Sequence, residues 1–402
     1  MFAGRHIGIG LLFGAAFLAG CSGTSGEASV ASPDEWTETT IVREFDGRQF
    51  LKRVSPDGRW LAVTDLVEVC IYPLDEGDQS NCFEEETLGG DSLHWNADST
   101  LVTSGSSTSG RWNTTGVWTF APDGTATSVS PVSAGSPLIP DEPGVFNGAM
   151  AFRPDGESIV FIQSEFRDGP DSHELREVDI DGGNETVLAQ MDGFALGRIV
   201  PLEDGRLVVV AGESIGPPLV LIDGGEQTTI AMSEPSDQGG YFPRLATQAT
   251  SAAGGLALVV LPGEFSARNL ILEPSAWSLF DFEGQEFPIT VADGQTAVAA
   301  TFSPDGTSLA YLVIDIPENL ASALAEAVPI SSELFITTVD AVLAGEPATT
   351  SRALEADAMS LLDPSFLELN VMRWSTDDRI LIPLQGENEN EVTVVEVDLS
   401  GQ

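Results

Sequence analysis

One phrase recurs along this 402-residue chain: a short apolar segment, the turn Ser-Pro-Asp-Gly, then a second apolar segment that alternates with polar residues. Clear copies occupy residues 53–63, 152–161 and 302–311, with their turns at Asp57-Gly58, Asp155-Gly156 and Asp305-Gly306. Degenerate copies lie at 95–102, 202–209 and 374–381, and a weak one at 251–258. Proline sets φ at the first turn position, the aspartate side chain bonds nearby backbone amides, and glycine takes the positive φ that sends the chain into the next strand. These residues make hairpins, and the six named here are expected to be structural rather than catalytic. A unit repeated at this period cannot bury its apolar faces alone, so the chain must stack many of them.

Several hairpins are followed by a second pair of strands with its own turn. Val117-Trp118-Thr119-Phe120 precedes Pro122-Asp123-Gly124, and residues 175–180 precede Asp181-Gly182-Gly183. Leu219-Val220-Leu221-Ile222 precedes Asp223-Gly224-Gly225, and Trp277-Ser278-Leu279-Phe280 precedes Phe282-Glu283-Gly284. Four antiparallel strands per unit make a β-propeller blade, so the expected class is all-β. The turns at 57, 98, 155, 204, near 253, 305 and 377 predict seven units at a mean spacing of about 53 residues, with six or eight also compatible because two copies are weak. After Trp374 the last unit has room for only three strands. The β-branched segment 37–45 has no partner of its own and is expected to supply the fourth as an outer strand, closing the ring and covering an open edge.

The Ser-Pro-Asp-Gly turn followed by a strand and an Asp-Gly-Gly hairpin resembles the TolB-like family of propellers with PD40, or WD40-like, repeats. The resemblance covers nearly all of the chain after residue 36. It implies the propeller fold and leaves activity open, because that fold hosts periplasmic interaction modules, enzyme domains and lids.

Ahead of the repeats, residues 7–20 form an apolar run after Arg5 that ends in Leu18-Ala19-Gly20-Cys21, and a polar tract follows. The run is shorter than the ~20 residues a membrane span needs. The four-residue phrase is similar to the lipobox of bacterial lipoproteins. That resemblance implies cleavage before Cys21, acylation of its sulfur and new amino group, and attachment to a lipid bilayer. The expected organisation is therefore a signal peptide over 1–20, a flexible tether over 21–36 and the propeller over 37–402, lipid-anchored and facing the extracytoplasmic side.

The chain carries 62 acidic and 17 basic residues, for a formal net charge of −45. A polyanion cannot release counterions from nucleic acid, which excludes that partner. Anionic headgroups would repel the chain too, which leaves attachment to the acyl chains. Lys52 is the only lysine, and the acids are spread over the whole length, a pattern that fits a solvated surface in a high-salt habitat. Hydrophobic residues make up 42% of the chain, enough for a large core.

Cys70 and Cys82 flank a turn and, outside the cytoplasm, could form a cross-strand disulfide; the alternative is two buried thiols. Reactive groups are few. His94 and His173 sit in or beside expected strands, and His94 reads as a packed or pore-edge residue. Gly212-Glu213-Ser214-Ile215-Gly216 has the spacing of a nucleophile elbow, but Pro217-Pro218 stands where the elbow needs a helix. Asp179-Ile180-Asp181-Gly182-Gly183-Asn184-Glu185 lacks calcium-loop spacing. The expectation is no catalytic residue, no metal and no cofactor, and a role in binding an envelope protein or a small ligand. The rival is a carboxylate-based glycan-active enzyme that uses the funnel. A surplus between the last two turns, residues 317–328, is expected to hold a short helix over one mouth of the ring.

Overall fold

The computed structural model describes residues 33–44, 51–64, 68–75, 80–84, 92–95, 101–106, 114–121, 126–128, 145–165, 172–179, 183–191, 199–210, 218–232, 234–235, 241–242, 245–261, 265–266, 271–272, 276–315, 331–354, 372–376, 378–385 and 391–400. Cys21, the serine of 212–216 and the segment 317–328 lie outside them. Among the described residues no helix is long and apolar enough to cross a membrane.

Apolar residues at period two make each repeat an antiparallel meander, and six four-stranded sheets are each built from a single stretch of chain. The first comprises Leu51–Val54, Trp60–Thr64, Glu68–Pro73 and Asn81–Glu84. The second comprises Ser92–Trp95, Leu101–Ser106, Thr114–Phe120 and Ala126–Ser128. The third holds Val145–Phe152, Ser158–Glu165, Ser172–Asp179 and Thr186–Met191, and the fourth Ile199–Pro201, Leu207–Val210, Leu219–Asp223 and Glu226–Ala231. The fifth holds Leu245–Thr250, Leu256–Leu261, Ala276–Asp281 and Glu286–Pro288, and the sixth Gln295–Phe302, Ser308–Asp315, Ser332–Thr338 and Thr350–Leu354.

A further four-stranded sheet is composite. Arg373–Trp374, Arg379–Gln385 and Glu391–Asp398 come late in the chain, and Thr37–Glu44 adds to the outer side of Glu391–Asp398, in register from Thr37 opposite Asp398 to Glu44 opposite Glu391. The fold is an all-β β-propeller of four-stranded antiparallel blades.

The core lies between blades rather than within any one of them. In the sixth sheet Leu309, Tyr311 and Val313 pack on Leu256, Leu258 and Trp277 of the fifth. The intervening Ala310, Leu312 and Ile314 pack on Ile380, Ile382 and Val395 of the composite sheet. Both faces are covered, which is why the sequence there reads Leu-Ala-Tyr-Leu-Val-Ile without polar interruption. The same two-sided packing joins third to fourth and fourth to fifth sheets.

Three details differ from the sequence reading. Trp36, assigned above to the tether, is 2% exposed and packs with Leu334 and Val397, so ordered packing begins ahead of residue 37. A helix that the sequence reading did not name, Val339–Leu343, lies between the third and fourth strands of the sixth sheet, where the hydroxyl of Thr338 accepts from the Ala341 amide at 3.2 Å. Two small ribbons, Glu234–Pro235 with Tyr241–Phe242 and Phe265–Ser266 with Ile271–Leu272, decorate the fourth-to-fifth connection and the interior of the fifth unit.

Candidate functional site

The repeat turns hold the ring. The Asp57 carboxylate accepts from the Ser55 hydroxyl and, at 3.1 Å, from the Arg59 amide, while the Gly58 amide donates to the Ser55 carbonyl at 3.0 Å. Asp305 repeats this with Ser303 and Thr307, and the Ser303 hydrogen bond leads the effects that hold its carboxyl below the usual range. Asp155 accepts from the Glu157 amide at 3.0 Å. A Cβ at Gly58, whose φ is +70°, would lie 2.7 Å from the Ser375 Cβ of the composite sheet. A Cβ at Gly306 would strike Thr250 of the fifth sheet. The turn glycines thus permit close approach of one blade to the next, a role that adds to their φ requirement.

Polar links cross from blade to blade. Arg153 stands where the first and sixth units have serine. It pairs with Glu177 through two contacts of 3.0 Å and donates to the Gly205 carbonyl of the fourth sheet at 2.6 Å. Burial would raise Glu177, but the Arg153 and Ser158 hydrogen bonds and the Arg153 charge outweigh it and hold the carboxyl low. Gln248 bonds Thr301 and the Phe302 amide, each at 3.0 Å, joining the inner strands of fifth and sixth sheets.

Several links also cross the seam where the composite sheet meets the first sheet. Arg379 bridges Asp75 at 3.0 Å and Glu396 at 3.1 Å, and Arg43 of the N-terminal strand donates to the Pro73 carbonyl at 2.9 and 3.1 Å.

Register partners share a face of an antiparallel ladder, which places two further cations at this seam. Arg373 pairs with Leu381, and Leu381 packs with Val54, Leu61 and Val63 of the first sheet, so Arg373 faces that sheet. Lys52 pairs with Val63 of the same cluster and so faces the composite sheet. Arg53, one residue on, pairs with Ala62 and faces the second sheet instead. Lys52 is 8% exposed. Arg373 as a residue is half-buried, but its Nε is fully enclosed and without a hydrogen-bond partner. Burial pushes the guanidinium down from its ordinary value, and no described carboxylate offsets it.

Cys70 and Cys82 are register partners joined by an S–S bond of 2.03 Å. Glu68 lies beside them, the one described grouping with enough ligand types and proximity for a metal; with the sulfurs bonded to each other, neither is a thiolate available to an ion. The bridge closes a short loop, and Cys82→Ser is expected to lower stability by about 2–4 kcal/mol, measured as a shift of the urea midpoint. An unchanged midpoint would remove the bridge from any stabilising role.

His173 is buried, with Nδ1 at 2.9 Å from the hydroxyl of the fully buried Ser164, its cross-strand partner. His94 lies on the innermost strand of the second sheet, opposite Val102. Among the described residues of 179–185, Asn184 donates to Asp179, and Glu185 is taken by Arg176 of the preceding strand.

The chain is a β-propeller protein, a class defined by these ladders and inter-blade cores. No family model matches the sequence, and no curated protein matches it. Among solved structures it is similar to TolB from Acinetobacter baumannii, at 16% identity over 74% of this chain and 63% of that one, with a TM-score of 0.37. It is also similar to the β-propeller domain of the Trilobed protease from Pyrococcus furiosus, at 16% identity over 77% of this chain and 85% of that one, with a TM-score of 0.45. A third likeness is to an oligogalacturonate lyase in complex with manganese, at 12% identity over 90% and 98% of the two chains, with a TM-score of 0.40.

Proposed function

We propose that this protein is an acyl-anchored, extracytoplasmic lipoprotein whose propeller, with the composite sheet as a seventh blade, is a protein- or ligand-binding scaffold. The observation that carries the scaffold reading is the locking of blade to blade, through Arg153 to the Gly205 carbonyl, Gln248 to Thr301 and Arg379 to Asp75. A frame held at its turns can vary its loops without losing its shape. The anchor reading is supported by Leu18-Ala19-Gly20-Cys21 after an apolar run. Between Cys21 and the first described residue a short connection would keep the ring near the bilayer, at a root-mean-square reach of roughly 20 Å for a flexible chain.

Fractionation with and without Cys21→Ala tests the anchor. The parent is expected in the membrane fraction and the variant in the soluble one, and a variant that stays with the membrane overturns lipid attachment. Purification from detergent-solubilised membranes at high salt tests the scaffold, with a stoichiometric companion or bound small molecule as the expected result. Turnover of a glycan by the purified chain would replace the scaffold reading with an enzymatic one.

A further inference from the structure

The inner end of the seam sets two cations on facing sheets in a chain of formal net charge −45. Lys52, the only lysine, lies on the innermost strand of the first sheet, and Arg373 on the innermost strand of the composite sheet. With 62 acids in the sequence, a counter-charge for Arg373 would be easy to supply, yet no described carboxylate does so. The carboxylate on its own row of the ladder is Glu396, opposite Leu381 and therefore further out, and it is taken by Arg379 at 3.1 Å. The enclosed Nε of Arg373 has no hydrogen-bond acceptor among the described residues; a charged donor buried without one is unfavourable, and an anion entering beside it would supply the acceptor and balance the charge.

We propose that the inner end of this seam binds a small carboxylate, with Arg373 offering its planar fork to the two oxygens and Lys52 adding positive charge from the opposite sheet. The fork matches the geometry of a carboxylate. The acidic field of the whole chain opposes multiply charged anions, which favours a monocarboxylate over a phosphate dianion. This site belongs to the ring itself and is independent of the anchored-scaffold reading, which can fail without affecting it.

The test is calorimetric titration of the detergent-solubilised full chain with sodium acetate, at constant sodium concentration, against sodium chloride and sodium phosphate, with thermal unfolding followed in parallel. Acetate is expected to bind saturably and raise the melting temperature, and Arg373→Gln to weaken it by about ten- to a hundredfold. Arg352→Gln, on the outer strand of the sixth sheet, is expected to leave acetate binding unchanged. Ligand-free Arg373→Met should melt above the parent, because it removes a charged donor whose enclosed Nε has no described acceptor. Acetate no better than chloride, phosphate binding without acetate binding, or full affinity in Arg373→Gln each overturns the proposal. If the glutamine variant does not fold, Arg373→Lys keeps the charge and loses the fork, and undiminished acetate affinity there overturns it as well.

Discussion

Trp36→Ala is expected to destabilise the propeller by about 3–5 kcal/mol, read from urea unfolding. The indole is 2% exposed and sits with Leu334 of the sixth sheet and Val397 of the composite sheet, so its removal leaves a hole where two blades and the incoming chain meet. The effect reaches further than the hole. Trp36 immediately precedes Thr37–Glu44, whose ladder covers the outer edge of Glu391–Asp398. Loosening it would expose a backbone edge whose side chains include the buried Val392, Val394, Val395 and Val397, a template for pairing with other molecules. Concentration-dependent association should therefore accompany the loss of stability. A change below about 1 kcal/mol, with the variant still monomeric, would show that the strand holds without its anchor.

Gly255→Ala is expected to cost a comparable amount, about 3–5 kcal/mol, from two separate causes. Its backbone sits at φ 114° and ψ 124°, a region closed to residues with a Cβ. The added methyl would also run into the ring of Phe282. That ring cannot retreat freely, because the Arg206 guanidinium of the fourth sheet covers it at 4.7 Å and is itself held to Asp204 at 2.6 Å. Phe282→Ala in the same chain should relieve the collision while leaving the backbone cost. The double variant is then expected to lose less than the sum of the two single losses, whereas strict additivity would mean that the ring and the glycine do not meet.

The propeller was legible because its turns carry their chemistry locally. Ser55, Asp57 and Gly58 satisfy one another within four residues, and Ser303, Asp305 and Gly306 do the same, so the pattern survives in sequence. The weak copy at 251–258 also proves to be a turn, with Gly254 and Gly255 both at positive φ. What was not legible depended on contacts between distant segments. Trp36 has no periodic neighbours, and its place is set by residues some three hundred positions away. Lys52 and Arg373 look like ordinary inner-strand residues until register and the cores on either side show them facing one seam. Rarity was the available signal, since basic residues are few and these two sit just before repeat turns. The helix Val339–Leu343 is too short to have a period and owes its start to a single threonine cap.

The composite sheet also governs when the molecule can be finished. Thr37–Glu44 can find its ladder only after residues 391–398 have been made, so a strand that emerges early must wait for nearly the whole chain to follow. Such high contact order makes completion slow and leaves half-made rings exposed in the meantime.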